Sequence, residues 1–317
     1  MTTWRLPLAA LLASLVLAAC GGGVGGNDSP AVTGPTTTPP SLPQEPGAPT
    51  LTGNTALDGY NWINYRRAQL GLSVLARNGY VDFAAQGHSD YQRTNNVITH
   101  EQTPGQPGFT GVALIDRLRA AGYTLSGGYA IGEVISATSN SSGFYQAEEL
   151  IAAVYHRFVI FEPVFKELGT GAATTSGGYT YFTADFTVVN GYSGLGAGKI
   201  VVYPANNQTN VPTNFFSDSE SPDPVPNQNE VGYPISVHAD TGRAGSGVIV
   251  SNFSVAPRGG AALNVRLLSH ANDSATTETA AAIIPLAPLR SATTYDVSFS
   301  GTVAGAAVTR TWSFTTK

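Results

Sequence analysis

The sequence predicts a mixed α/β or α+β unit followed by an all-β sandwich. Three observations carry that reading. Helical and strand periodicities interleave between residues 56 and 195. The helical period then disappears, and short β-rich runs separated by turn residues continue to the end of the chain. Finally, 317 residues with 42% hydrophobic side chains suffice for about two cores without metal or disulfide support.

Taken in order, Leu57, Tyr60, Ile63, Arg67 and Leu70 fall at helical spacing, with Gly71 as the stop. A second helix is expected over Tyr80 to Thr94, with Val81, Ala84, His88 and Tyr91 on one face. A third spans Val112 to Ala121 before Gly122. A fourth runs from Gln146 to Phe158 and must finish before Pro163. Ala130 to Ala137 and Tyr179 to Val188 read as strands, the second alternating Tyr181, Thr183 and Asp185 against Phe182, Ala184 and Phe186. Interleaving of this kind builds a layered domain.

Beyond Gly198 the β runs are 200–203, 235–238, 248–255, 263–268, 280–284, 294–300 and 308–315. The last two alternate cleanly, through Tyr295, Val297 and Phe299, then Val308, Arg310, Trp312 and Phe314. Seven such strands over residues 198–317 fit a β-sandwich.

The amino terminus reads as an address. Arg5 precedes the apolar run Leu6 to Ala19, which is too short to span a bilayer and matches the h-region of an export signal. Leu17-Ala18-Ala19-Cys20 resembles the lipobox of bacterial lipoproteins, which makes Cys20 the expected lipidation site and residues 1–20 a signal peptide. As the chain's one cysteine, Cys20 leaves no disulfide framework. By the same resemblance, Gly21 after it directs the protein to the outer membrane or cell surface. Residues 21–55 are mostly Gly, Pro, Thr and Ser, a disordered tether reaching on the order of 100 Å. A net charge of −5 with 16 Lys and Arg argues against a nucleic-acid partner.

The segment 56–195 resembles the CAP superfamily (cysteine-rich secretory proteins, antigen 5 and plant pathogenesis-related proteins), whose bacterial members are termed SCP-like. The resemblance begins at Asn64, Arg67, Gly71-Leu72 and Leu75, then Ala85, His88-Ser89 and Tyr91. It continues through Asn95-Asn96, Thr99-His100-Glu101, Gly111, Asp116-Arg117 and Ala121-Gly122-Tyr123. Gly132-Glu133-Val134-Ile135, Tyr155-His156-Arg157, Pro163, Phe165, Gly169-Thr170-Gly171 and Tyr181 to Phe186 complete it. It implies a three-layer α-β-α sandwich. The segment 198–317 looks like a bacterial Ig-like domain, on Tyr203-Pro204, Val211-Pro212, Gly232-Tyr233-Pro234, Leu289 to Tyr295 and Trp312 to Thr316.

CAP domains have a cleft lined by two histidines and two acidic residues. The resemblance carries His100, Glu133 and His156 into that cleft, while the second acid would fall near Ala153, which cannot titrate. His88, Glu101 and Arg157 form a second tier of cleft candidates. On its own periodicity His88 falls on the apolar face of its helix, as a hydrogen-bonded core histidine would. Arg157 fits a helix-end or carboxylate partner. His238 and His270 read as surface or strand residues. Two imidazoles and a carboxylate suit a divalent cation such as zinc, though no cofactor is required. Gly194 to Lys199 resembles a phosphate loop but lacks its first glycine and its Ser/Thr.

Two functions compete. The first is a cell-envelope lipoprotein that binds a lipid-like ligand, a glycan or an envelope protein. The second is a metal-assisted hydrolase or peptidase using His100, Glu133 and His156. A spacer with a vestigial cleft is the blandest alternative.

Overall fold

The computed structural model describes residues 45–190, 194–196, 198–240 and 247–317. The export signal, Cys20 and the tether as far as residue 44 lie outside the described residues.

The first module begins with α1 (Thr55–Gln69), whose N-terminus is capped by the Asn54 side chain accepting from the Leu57 amide. After it come β1 (Ala76–Arg77) and α2 (Gly79–Asn95). Asn78 caps the start of α2, and Asn96, in the left-handed region at φ 52°, closes it. The chain continues through α3 (Leu114–Ala120), β2 (Tyr129–Thr138), α4 (Gly143–Ala152) and α5 (Val154–Ile160). Strands β3 (Glu167–Thr174) and β4 (Thr180–Val189) finish the module. The sheet order is β1-β3-β4-β2, with β1 parallel to β3 and the other pairs antiparallel.

Strand alternation sorts the helices into two layers. Thr183 of β4 accepts a hydrogen bond from Ser89 of α2, whereas its neighbour Phe182 packs under Gly59 of α1. A Cβ on Gly169 or Gly171 would meet the α2 backbone within 2.4 Å, so these two glycines let α2 lie directly on β3. Gly132 of β2 faces Val159 of α5 in the same close manner. Hence α2 and α3 cover one face of the sheet, and α1, α4 and α5 cover the other.

The predicted helix over 146–158 is two helices. Ala153 breaks it at φ −69°, ψ 119°, an extended conformation that redirects the chain. The residues 45–54, expected to be tether, instead pack on α1: Asp58 accepts from the amides of Thr52 and Gly53, and Arg66 pairs with Glu45.

The second module holds β5 (Ile200–Tyr203), β6 (Gln208–Val211), β7 (Asn214–Phe216), β8 (Glu230–Gly232) and β9 (Ile235–Ala239). Five more strands follow: β10 (Val248–Pro257), β11 (Val265–Ser269), β12 (Ala280–Pro285), β13 (Thr294–Val303) and β14 (Ala306–Thr316). They form the sheets β10-β13-β14-β6 and β11-β12-β9-β5, with β7-β8 as a small side ribbon. Tyr295, Val297, Phe299, Trp312 and Phe314 are buried at alternate positions, which puts one face of β13 and β14 in the core. Ala304 and Gly305 turn that hairpin with both φ values positive, as a two-residue connection requires.

The two modules share one hydrophobic core. Phe161 of the first contacts the rings of Tyr203 and His238 in the second, and Phe158 meets His238 edge-on. His238, expected at the surface or in a strand, is therefore a buried member of β9 at the joint, held by Ser236 Oγ at 2.9 Å. Burial and the nearby positive charge of Arg157 hold it well below the usual imidazole range. Among the described residues no helix is long and apolar enough to cross a membrane.

Candidate functional site

Glu133 sits mid-way along β2. Because its neighbour Gly132 faces α5, alternation directs Glu133 to the opposite side, under α2 and α3. Three elements converge on it. His100, from the loop after α2, places Nδ1 2.8 Å from Glu133 Oε1. Arg117 of α3 donates to Oε2 at 2.5 Å and also to the His100 carbonyl at 2.8 Å. His88 of α2 lies 3.9 Å from Oε1. All four side chains are buried.

The hydrogen bonds define the charge state. His88 Nε2 lies 2.7 Å from the Thr99 carbonyl, and Gln102 donates to Nδ1 at 3.0 Å, the pattern of a neutral imidazole with its proton on Nε2. Burial, only partly offset by Glu133, depresses the His88 pKa to about 4, in keeping with that neutral form. Burial would raise Glu133, but the Arg117 guanidinium, helped by the histidines, outweighs it and holds the carboxylate well below its usual range.

Directly across the β2–β4 pairing from Glu133 stands Asp185, fully buried. As an anion it has no partner, since neither of its oxygens meets a donor. Burial and the adjacent Glu133 charge push it well above the usual carboxylate range, so Asp185 is the neutral acid of the pair. The cluster thus sets the Arg117 guanidinium and the Glu133 carboxylate beside a neutral His88 and a protonated Asp185.

His156 lies in the other helical layer. Its Nδ1 is 2.9 Å from Oε1 of Glu220, a residue of the second module. Glu220 also accepts the backbone amides of Val154, Tyr155 and His156 at 2.7–3.2 Å, which satisfies the otherwise unpaired, buried N-terminal amides of α5. The expected grouping of His100, Glu133 and His156 is therefore divided by the sheet. Arg157, a second-tier candidate, is also at the joint. It donates to the Pro234 and Ile151 carbonyls and lies 4.8 and 5.1 Å from the rings of Tyr203 and Tyr233. Glu101 is exposed, its amide donating to Thr99 Oγ1. His270 is half exposed, beside Glu278 at 3.7 Å.

Residues 60–186 match the model of the CAP family, the cysteine-rich secretory protein family. The first module is thus the CAP-matched part of the chain. No curated protein matches. Among solved structures, an extracellular protein containing an SCP domain from Bacillus anthracis is 23% identical with a TM-score of 0.36. That match covers 44% of this chain and 41% of the other, so this chain spans about two fifths of its length. An outer surface protein of Borrelia burgdorferi is 14% identical with a TM-score of 0.35, over 41% of this chain and 90% of its own.

The residues of the CAP module do not fit a divalent cation. Both Glu133 oxygens are occupied, one by a cationic guanidinium, and the nearest additional acid is protonated. With Arg117 in place a second positive charge would face repulsion in a buried site. Among the described residues no group of three or more His, Cys, Asp or Glu side chains is placed to hold a metal ion. The Ser89 hydroxyl donates to Thr183 within the layer interface and is not aimed at the cluster's carboxylates.

Four residues of this machinery are not site candidates on sequence pattern alone. Arg117 and Asp185 fell within quoted motifs, and Asp185 shared the polar side of its strand with Thr183, but register alone pairs it with Glu133. Gln102 and Glu220 lie in polar loop sequence that carries no periodic signal.

Proposed function

We propose that this chain is an exported cell-envelope lipoprotein, anchored through Cys20, in which the CAP module and an Ig-like sandwich form one rigid binding body. The observation that carries binding over catalysis is the state of Glu133. Its two oxygens are committed to Arg117 and His100 beneath two helices, which makes it an internal counter-ion rather than a base. The apolar run 6–19 ending at Cys20 supports export and anchoring at the outer membrane or cell surface. Its ligand belongs to the envelope: a lipid-like molecule, a glycan or a protein.

Two measurements test this reading. Mass spectrometry of the mature N-terminus is expected to find an acylated Cys20, and an unmodified cysteine would remove the anchor. Glu133→Gln is expected to lower thermal stability. Hydrolytic turnover that His100→Ala and Glu133→Gln both abolish, with melting unchanged, would establish the hydrolase instead.

A further inference from the structure

A cavity of about 440 Å³ opens on the CAP module, away from the buried cluster, between the start of α1, the first turns of α2 and the outer edge of β3. Its size lies within the range of about 300–1,000 Å³ typical of small-molecule sites. One wall is Phe83, which at 70% exposure is the most exposed large apolar side chain among the described residues. The remaining lining is mostly polar, chiefly Asn54, Arg77, Asp82, Gln86 and Thr174, with Ala56 and Ala172 between them.

The planar groups are already fixed. Asp82 accepts from the Thr170 amide at 2.9 Å and from Arg77 Nε at 2.8 Å. Gln86 accepts from the Ala172 amide at 3.1 Å and donates to the Ala172 carbonyl and to Asp90, each at 3.0 Å, which leaves its oxygen as the atom open to a ligand. Side chains braced in this way lose little freedom when a ligand arrives.

The same bonds exclude other occupants. β1 pairs only with Glu167 and Leu168, which leaves the rest of the β3 edge unpaired by strand. Asp82 and Gln86 take that edge's backbone groups at Thr170 and Ala172, so an extended peptide finds no ladder to join. The Arg77–Asp82 pair balances its own charge, which favours neither anion nor cation. A lipid tail would find only Phe83 and two small alanines, Ala56 and Ala172, among polar walls.

An exposed aromatic face beside fixed amide, carboxylate and guanidinium forks matches a ring with an apolar C–H face and adjacent hydroxyls. We infer that this cavity binds a neutral oligosaccharide, with one sugar ring stacked on Phe83 and its hydroxyls donating to Asp82 and Gln86 Oε1 and accepting from the Arg77 guanidinium. The inference rests on the binding function proposed above and names its ligand class.

The test is titration of the full chain, in a sugar-free detergent, with neutral tetrasaccharides of glucose, galactose, mannose and N-acetylglucosamine. Phe83→Ala and Phe83→Trp are measured alongside. At least one sugar is expected to bind, with Phe83→Ala weakening it by about tenfold or more and Phe83→Trp retaining it. Melting temperatures of all three proteins should agree, because the ring is exposed. Absence of binding up to about 1 mM, or binding unchanged in Phe83→Ala, overturns the inference. Release of new reducing ends from a bound sugar would instead overturn the binding function itself.

Discussion

The molecule contains two buried histidine–glutamate pairs of nearly the same local geometry, on opposite sides of one sheet. In each, Nδ1 meets Oε1, at 2.8 Å for His100–Glu133 and 2.9 Å for His156–Glu220, and in each the histidine Nε2 is buried without a partner. Their surroundings differ. Glu133 is neutralised by a guanidinium and faces a protonated acid, all within the CAP module. Glu220 arrives from the other module and takes three amides at the start of α5. The first pair closes a layer; the second joins two modules. A carboxylate's role is set by the other donors on its oxygens, not by the histidine it touches.

The largest expected effect separates the pairs most sharply. Glu220→Ala strips the acceptor from three amides and an imidazole that remain buried, and should cost about 3–5 kcal/mol in denaturant unfolding. Arg117→Leu leaves Glu133 buried with its main counter-charge gone. A loss of about 3 kcal/mol at pH 7 is expected, smaller if Glu133 takes up a proton.

The next effect is one of pH. His88 has a folded pKa near 4, below the unfolded value near 6.5, so the unfolded chain binds the extra proton as pH falls. Its contribution is complete above the unfolded pKa and is lost toward the folded one. Between pH 7 and pH 5 this amounts to about 2 kcal/mol, which a His88→Gln variant should no longer lose. A further pH effect has the opposite sign. Asp185 is raised in the folded state, so its stabilisation is full below the unfolded pKa and is lost as pH rises through the folded one. Asp185→Asn should therefore gain stability over the parent as pH rises from 4 to 8, with the gain absent at the acid end. Equal stability at both pH values would show that Asp185 is not the protonated member of its pair.

Much of the fold was legible because it is local. The helical spacing from Leu57 to Leu70, the stop at Gly71 and the alternation through Tyr181 to Phe186 are all short-range signals, and the helices 55–69 and 79–95 fall within two residues of their expected limits. The break at Ala153 was not legible. Nothing in Ile151 to Tyr155 disfavours a helix; the acceptor for the new N-terminus is Glu220, 66 residues from Val154 in sequence. The short strands β6, β7 and β8 were missed for a related reason, since polar runs such as Gln208 to Val211 gain strand structure from the edge they join.

The candidate site divides along the same line. His100 and Glu133 could be named from their motifs. The face on which His156 falls depends on a helix break imposed from the second module. Arg117 and Asp185 reach Glu133 through a helix and a strand whose mutual register no local pattern encodes.

The central claim is that His156–Glu220 makes the two modules one cooperative body. Each described module carries one tryptophan, Trp62 in the first and Trp312 in the second. Urea unfolding would be followed by fluorescence in Trp312→Phe, which reports the CAP module, and in Trp62→Phe, which reports the sandwich. The expected result is that each variant's tryptophan transition coincides with the loss of its overall circular dichroism signal, and that adding Glu220→Ala pulls the two apart. Tryptophan and circular dichroism transitions that are already separate with Glu220 intact would contradict the claim, and would return the modules to independent domains on a common tether.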